Sequence, residues 1–333
     1  MLKGLFADSP PFTQIIMLAF TMIVCFLLFM FIGILFAPLL FGVSISELMS
    51  IISGTDSTQS LNIQRYIQVL YSLGFFVIPA FFVAYLFSRF PIRYLCLDNR
   101  RQTVDSRHQT EDIRYSEPET QNSKLETRNL KWFIATLILM LAAMPCINML
   151  VAFNEMIVFP ESLSGLEQRL KDSEEVARKM TKLFLNVDNI GGLFFNIFMI
   201  AVLPALGEEL IFRGVIQKIL IRWTGSIHAG IIVGGLLFSM MHMQFYGFFP
   251  RWLLGIMFGY LLIWSGTMWL PVFAHFVNNA VAVLFSFLIY KGVISESIEK
   301  FGSNWHDIPV TVLAAAICAF LLWKMYRSSK NVF

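Results

Sequence analysis

Three short stretches of this sequence place ionisable or amide side chains inside long apolar runs. They read Pro204-Ala205-Leu206-Gly207-Glu208-Glu209-Leu210-Ile211-Phe212-Arg213, Phe238-Ser239-Met240-Met241-His242 and His275-Phe276-Val277-Asn278-Asn279. An ionisable group in the middle of hydrocarbon costs roughly 2.5–3.5 kcal/mol even on the lenient insertion scale, so such groups are functional suspects. Glu208, His242, His275 and Asn279 together hold what peptide-bond hydrolysis needs. Those needs are a base to activate water, an acid for the departing amine and donors for the developing oxyanion. Glu208, His242 and His275 could instead bind Zn²⁺ as a His₂Glu set, with the other groups around it. The sequence has no His-Glu-x-x-His motif and so demands no metal. A metal-free glutamate mechanism is the favoured reading, with zinc as its alternative.

Helical geometry divides the two glutamates. Arg213 follows Glu209 by four residues, a spacing that puts both on one face and lets them pair. Glu208 points about 100° away. A paired carboxylate stays ionised and structural, whereas an unpaired one in apolar surroundings suits proton transfer. Glu208 is therefore expected to be the working base, supported by Glu209 and Arg213. Glu208 and His242 lie at nearly equal distances from the Thr224-Gly225 turn, so an antiparallel helix pair brings them to one depth. His275 and Asn279 share one face of a third helix.

The elements that must position these groups are membrane spans. Hydrophobic residues make up 57% of the 333-residue chain and charged residues 14%, with 34 Phe and a mean hydropathy of +0.68. A soluble core of that length could not hide so much apolar surface, whereas a bilayer does not penalise it. At about 20 apolar residues per span, candidates fall at 12–41, 66–89, 132–153, 192–222, 227–247, 250–265, 269–290 and 308–326. The expected fold is an all-α polytopic membrane helix bundle of eight spans, the sixth short enough to be partly re-entrant. The first is too long for a secretory signal core. Residues 91–131 are polar and read as a flexible loop. Within 161–187, Leu163, Leu166, Leu170, Met180, Leu183 and Phe184 recur at helical spacing between charges, as in an amphipathic helix at the membrane surface. Three regions follow: an amino-terminal membrane region (1–190), a core with the polar motifs (191–292), and a last span with a basic tail (293–333).

Loop charge orients the bundle. Basic residues concentrate in 89–131, at Arg213, Lys218 and Arg222, and at Lys324, Arg327 and Lys330, while 43–64 has no Lys or Arg at all. With eight spans these clusters share one side only if both termini are cytoplasmic, and Arg251 alone dissents. The expected location is a bacterial cytoplasmic membrane. No Lys/Arg run points to nucleic acid, and Cys25, Cys96, Cys146 and Cys318 form no Cys-x-x-Cys pair.

Glu-Glu-x-x-x-Arg, Phe-x-x-x-His and His-x-x-x-Asn, in that order on three apolar segments, resemble the CAAX-protease and bacteriocin-processing (Abi) family of intramembrane proteases. The resemblance covers about residues 192–290. It implies that Glu208 and His242 activate a water and that His275 and Asn279 hold the oxyanion. It further implies a membrane-associated peptide or protein substrate. Eukaryotic members clip prenylated CAAX tails, most bacterial relatives have no evident prenylated substrate, and the amino-terminal part offers no resemblance that would name one.

Blander readings stand beside these. Asn279 could simply bond a neighbouring helix, and Gly230, Gly234 and Gly235 could serve close helix contact. His108, His228 and His306 lie in loops or at a span end, where solvation accounts for them. Intramembrane Glu and His also serve ion pathways in transporters, although no inverted repeat is evident. A non-catalytic immunity or scaffold protein of the same fold would have no need of these buried ionisable groups.

Overall fold

A computed structural model describes residues 2–52, 61–98 and 122–330, with side chains described from Leu130 in the last of these stretches. The described residues form α-helices, π-turns and 3₁₀ turns, and no strand occurs among them. The helices are α1 (Pro11–Phe41), α2 (Ile45–Ile52), α3 (Leu61–Phe87), α4 (Asn122–Glu155), α5 (Ser164–Leu185), α6 (Ile190–Thr224), α7 (Ile227–Met241), α8 (Phe248–Ser265), α9 (Trp269–Tyr290) and α10 (Ile308–Lys330). Seven of these are long and apolar enough to cross a membrane, and α7 is a shorter apolar helix beside them. The protein is thus a polytopic membrane helix bundle of about eight spans. Its outer faces are apolar and open, with Leu39 80% exposed on α1 and Leu313 62% on α10, as lipid contact requires.

Several expected boundaries shift. The fifth span was expected to run to 247 but stops at Met241, and its 15 residues reach only about 22 Å. His242 caps that helix instead of lying within it. The second span begins at Leu61 and so carries Arg65, whose guanidinium donates to Asn196 Oδ1 (3.2 Å) and to the Phe184 carbonyl (3.4 Å). Helix α4 starts at Asn122, so the end of the expected 91–131 loop is helical. Residues 91–98 hold one turn (Pro91–Tyr94), and the middle of that loop lies outside the described residues. The amphipathic helix forms as α5, and Phe184 is its buried residue.

Hydrogen bonds collect one end of most helices on a common face. Gly4 donates to the carbonyl of Tyr85, Arg222 to that of Ser9, and Met268 to that of Cys96. The Trp264 and Tyr326 rings meet there at 5.8 Å. Arg89, Arg93, Lys218, Arg222, Lys324 and Arg327 therefore lie toward one side of the bundle, and α5 and Arg251 toward the other.

Small residues set the closest approaches. A Cβ on Gly255 would lie 2.9 Å from the Gly235 Cα, so α7 and α8 touch backbone to backbone. A Cβ on Gly207 would come within 2.8 Å of Phe76 Cβ, which lets α3 pack directly on the turn that carries the paired glutamates. Helix α6 is α-helical over Leu203–Ile211 but has π-turns on both sides, Ile197–Val202 and Phe212–Ile216. Such turns concentrate at functional sites, and these bracket Glu208 and Glu209.

Candidate active site

The three motifs converge where α6, α7, α8 and α9 meet, and two polar groupings result. The inner one is closed. Glu209 and Arg213 are fully buried, at 0% and 2% exposure, and Arg213 Nε lies 3.0 Å from Glu209 Oε2. Arg213 Nη2 donates to the carbonyl of Gly255 on α8 (3.1 Å). The guanidinium also lies over the rings of Phe238 (4.5 Å) and Phe258 (5.4 Å), which offer their negative faces to a desolvated cation. The expected Glu209–Arg213 pair is present.

Glu209 does more than support its neighbour. Its Oε1 lies 2.9 Å from His275 Nδ1, the opposite oxygen from the one facing Arg213. A carboxylate only accepts, so Nδ1 carries the proton and Nε2 is turned away from Glu209. The sequence reading gave Glu209 one partner, Arg213, and the structure adds His275 as a second. The imidazole is further fixed by stacking on Phe258 (5.3 Å) and by the edge of Phe238 (5.8 Å).

The outer grouping is open. Glu208 Oε2 and His242 Nε2 are 3.9 Å apart, with side-chain exposures of 13% and 30%. His242 Nδ1 lies 2.9 Å from the carbonyl of Phe238, one turn back on α7. Donation to that carbonyl leaves Nε2 with a lone pair facing Glu208. Glu208 Oε2 is buried and accepts no hydrogen bond from a protein group. Two acceptors 3.9 Å apart are too far for a direct hydrogen bond but suit one molecule that donates to both at about 2.8 Å.

Asn279 bridges helices. Its Nδ2 donates to the carbonyl of Ile200 (3.1 Å), the carbonyl that Pro204, lacking an N–H, cannot serve from one turn on. An amide nitrogen carries two hydrogens, so a second donor remains.

Among the described residues no three His, Cys, Asp or Glu groups are placed to hold a metal ion. His275 directs Nδ1 to Glu209 while His242 faces Glu208. Glu208, His242 and His275 are thus not gathered as a three-ligand set in this arrangement.

Other residues prove relevant that sequence reasoning passed over. Phe238 was noticed only as part of a motif, yet its ring meets Phe212, His242, His275 and Arg213. Phe258 and Gly255 had no polar signal to find them by. His228 is exposed, as its place at a span end predicts, and its Nδ1 lies 2.7 Å from the Tyr260 hydroxyl. His306 is exposed, and His108 lies outside the described residues.

Comparison with known proteins bears on the same segment. Residues 190–281 match a family model described as type II CAAX prenyl endopeptidase Rce1-like. The chain is 32% identical over 93 residues to the uncharacterized protein YpbD of Bacillus subtilis (strain 168), an alignment covering 26% of this chain. The match spans 43% of the length of that relative. No solved structure matches the chain.

Proposed function

We propose, from the match of residues 190–281 to the Rce1-like CAAX endopeptidase model, that this protein is an intramembrane endopeptidase that hydrolyses a peptide bond with a glutamate-activated water. The observation that carries the reading is the pairing of Glu208 with His242 across 3.9 Å beside a separate, fully buried Glu209–His275 pair. A water donating to both Glu208 Oε2 and His242 Nε2 loses one proton to Glu208 as its oxygen attacks the scissile carbonyl. That proton then passes to the departing amine, which balances the hydrolysis. His275 Nε2 and the second Asn279 N–H are the donors for the oxyanion. To donate, Nε2 must be protonated, and the Glu209 carboxylate offsets the resulting imidazolium charge as an orienting acid does in a catalytic triad.

The proposed substrate is a membrane-associated peptide or protein, and the proposed setting is a bacterial cytoplasmic membrane with both ends of the chain cytoplasmic. The collection of basic residues toward one face supports that orientation. A reporter active only in the cytoplasm should be silent when fused near Asp172, and a signal there would invert the topology.

The decisive experiment uses the full chain in liposomes with an internally quenched, farnesylated CAAX peptide and, in parallel, a proton-flux dye. Peptide product without flux is expected. Flux without product would replace the protease by an ion pathway.

A further inference from the structure

Arg251 runs against the charge bias of the loops, and the structure gives it an occupation. It lies in the first turn of α8, and its guanidinium folds back over the segment that joins α7 to α8. Nη1 donates to the backbone carbonyl of Gln244 (3.1 Å) and Nη2 to the same residue's Oε1 (2.5 Å). The guanidinium rests on Gly247 so closely that a Cβ there would lie 2.4 Å from Nη2 and 2.6 Å from Cζ.

This segment begins at His242. The next residue, Met243, has φ +52, a left-handed conformation that a non-glycine residue holds only when its surroundings enforce it. Two further side chains grip the segment from other helices. Asn154 of α4 donates to the carbonyl of Phe245, and Ser173 of α5 lies 3.5 Å from that of Met243. The imidazole of His242 is thus fixed on one side by Phe238 and on the other by a strained loop that Arg251 holds.

We infer that Arg251 is a positioning residue: by clamping Gln244 over Gly247 it fixes the 242–247 loop and so sets the separation of His242 from Glu208. The inference deepens the protease reading and rests on it for its kinetic test. It assigns Gly247 a role as well, since only glycine leaves room for the clamp. Gly247 has φ −106, so alanine there strains no backbone, and its methyl meets only the far end of a flexible side chain. Gly247→Ala should therefore displace the guanidinium while leaving stability almost unchanged.

The test compares wild type, Gly247→Ala, Arg251→Ala, Arg251→Lys and the Gly247→Ala/Arg251→Ala double variant, as full chains in liposomes with the farnesylated peptide. A misplacement of about 1 Å can lower rate by ~10²-fold. Arg251→Ala should lower kcat by about that factor with KM and Tm little changed, and Gly247→Ala should follow it by ~10-fold or more. The lysine variant should recover part of the loss through one of the two acceptors. The double variant should equal Arg251→Ala alone, because the atoms with which the new methyl collides are gone. A ¹⁵N-histidine spectrum gives a readout independent of turnover: the His242 Nε2 resonance should move in Gly247→Ala and stay put when that change is added to Arg251→Ala. A wild type that cleaves nothing sinks the protease reading, and the spectra still decide the clamp. Wild-type kcat and an unmoved His242 resonance in both single variants would overturn it. So would a Gly247→Ala effect that persists undiminished without Arg251.

Discussion

Glu208 and Glu209 are adjacent in sequence and live in different worlds. Glu209 has a cation on one oxygen and a histidine on the other, at 0% exposure. Glu208 faces a histidine at 3.9 Å, at the partly open side of the helix. The first arrangement is a closed set of buried charge pairs, whose attraction low dielectric strengthens. The second leaves an acceptor free, which is the condition for handling a reactant's proton. One helical step of about 100° divides a part that holds shape from a part that can react.

Four changes break or sharpen that contrast. The largest effect is expected from Glu208→Gln, which keeps volume and removes the base: kcat should fall by ~10²–10⁴-fold with Tm essentially unchanged. Full cleavage by this variant would end the assignment of Glu208. Glu209→Ala should act in the opposite register. It leaves Arg213 buried without its carboxylate, a loss of ~3–5 kcal/mol, visible as a lowered Tm and poor yield in detergent. If Glu209→Ala melts with wild type, the inner circuit contributes no stability and the contrast is lost.

Asn279→Ala comes third. It removes an oxyanion donor and also the partner of the Ile200 carbonyl, so kcat should fall by ~10²–10³-fold while KM changes little. Steady-state kinetics separate this from a packing role, which would show in Tm with kcat preserved. The smallest effect is expected from chelation. With Glu208, His242 and His275 not grouped as ligands, incubation with EDTA followed by the cleavage assay should leave kcat unchanged. Loss of activity restored by Zn²⁺ would overturn the metal-free mechanism.

The parts of this molecule legible in its sequence are those governed by local spacing. The Glu209–Arg213 pair follows from a four-residue interval, and the depth match of Glu208 with His242 from counting along two helices joined by a tight turn. The spans followed from apolar length. What stayed hidden depends on contacts across helices or on backbone irregularity. The Glu209–His275 bond joins residues 66 apart in sequence, and no periodicity announces it. The end of α7 at Met241 was masked by a continuing run of Met and Phe, residues as apolar outside a helix as within one. Arg65 was left out of its span because the polar Asn62, Gln64 and Arg65 broke the apolar run, although the backbone continues through them.

The π-turn at Phe212–Ile216 has a consequence for chain length. A π-turn holds one residue more than an α-helix needs to cover the same rise. Deleting a single residue there, such as Val215, would remove the wide turn and leave a continuous α-helix whose downstream residues keep their headings. Gln217, whose side chain reaches the carbonyl of Gly259 at 3.4 Å, would keep its face. The same deletion within the regular helix Gln217–Thr224 has no slack to absorb it and would rotate the helix end that leads into α7 by about 100°. The extra residue works as slack in the chain: a change of length is tolerated at this turn and nowhere just beyond it.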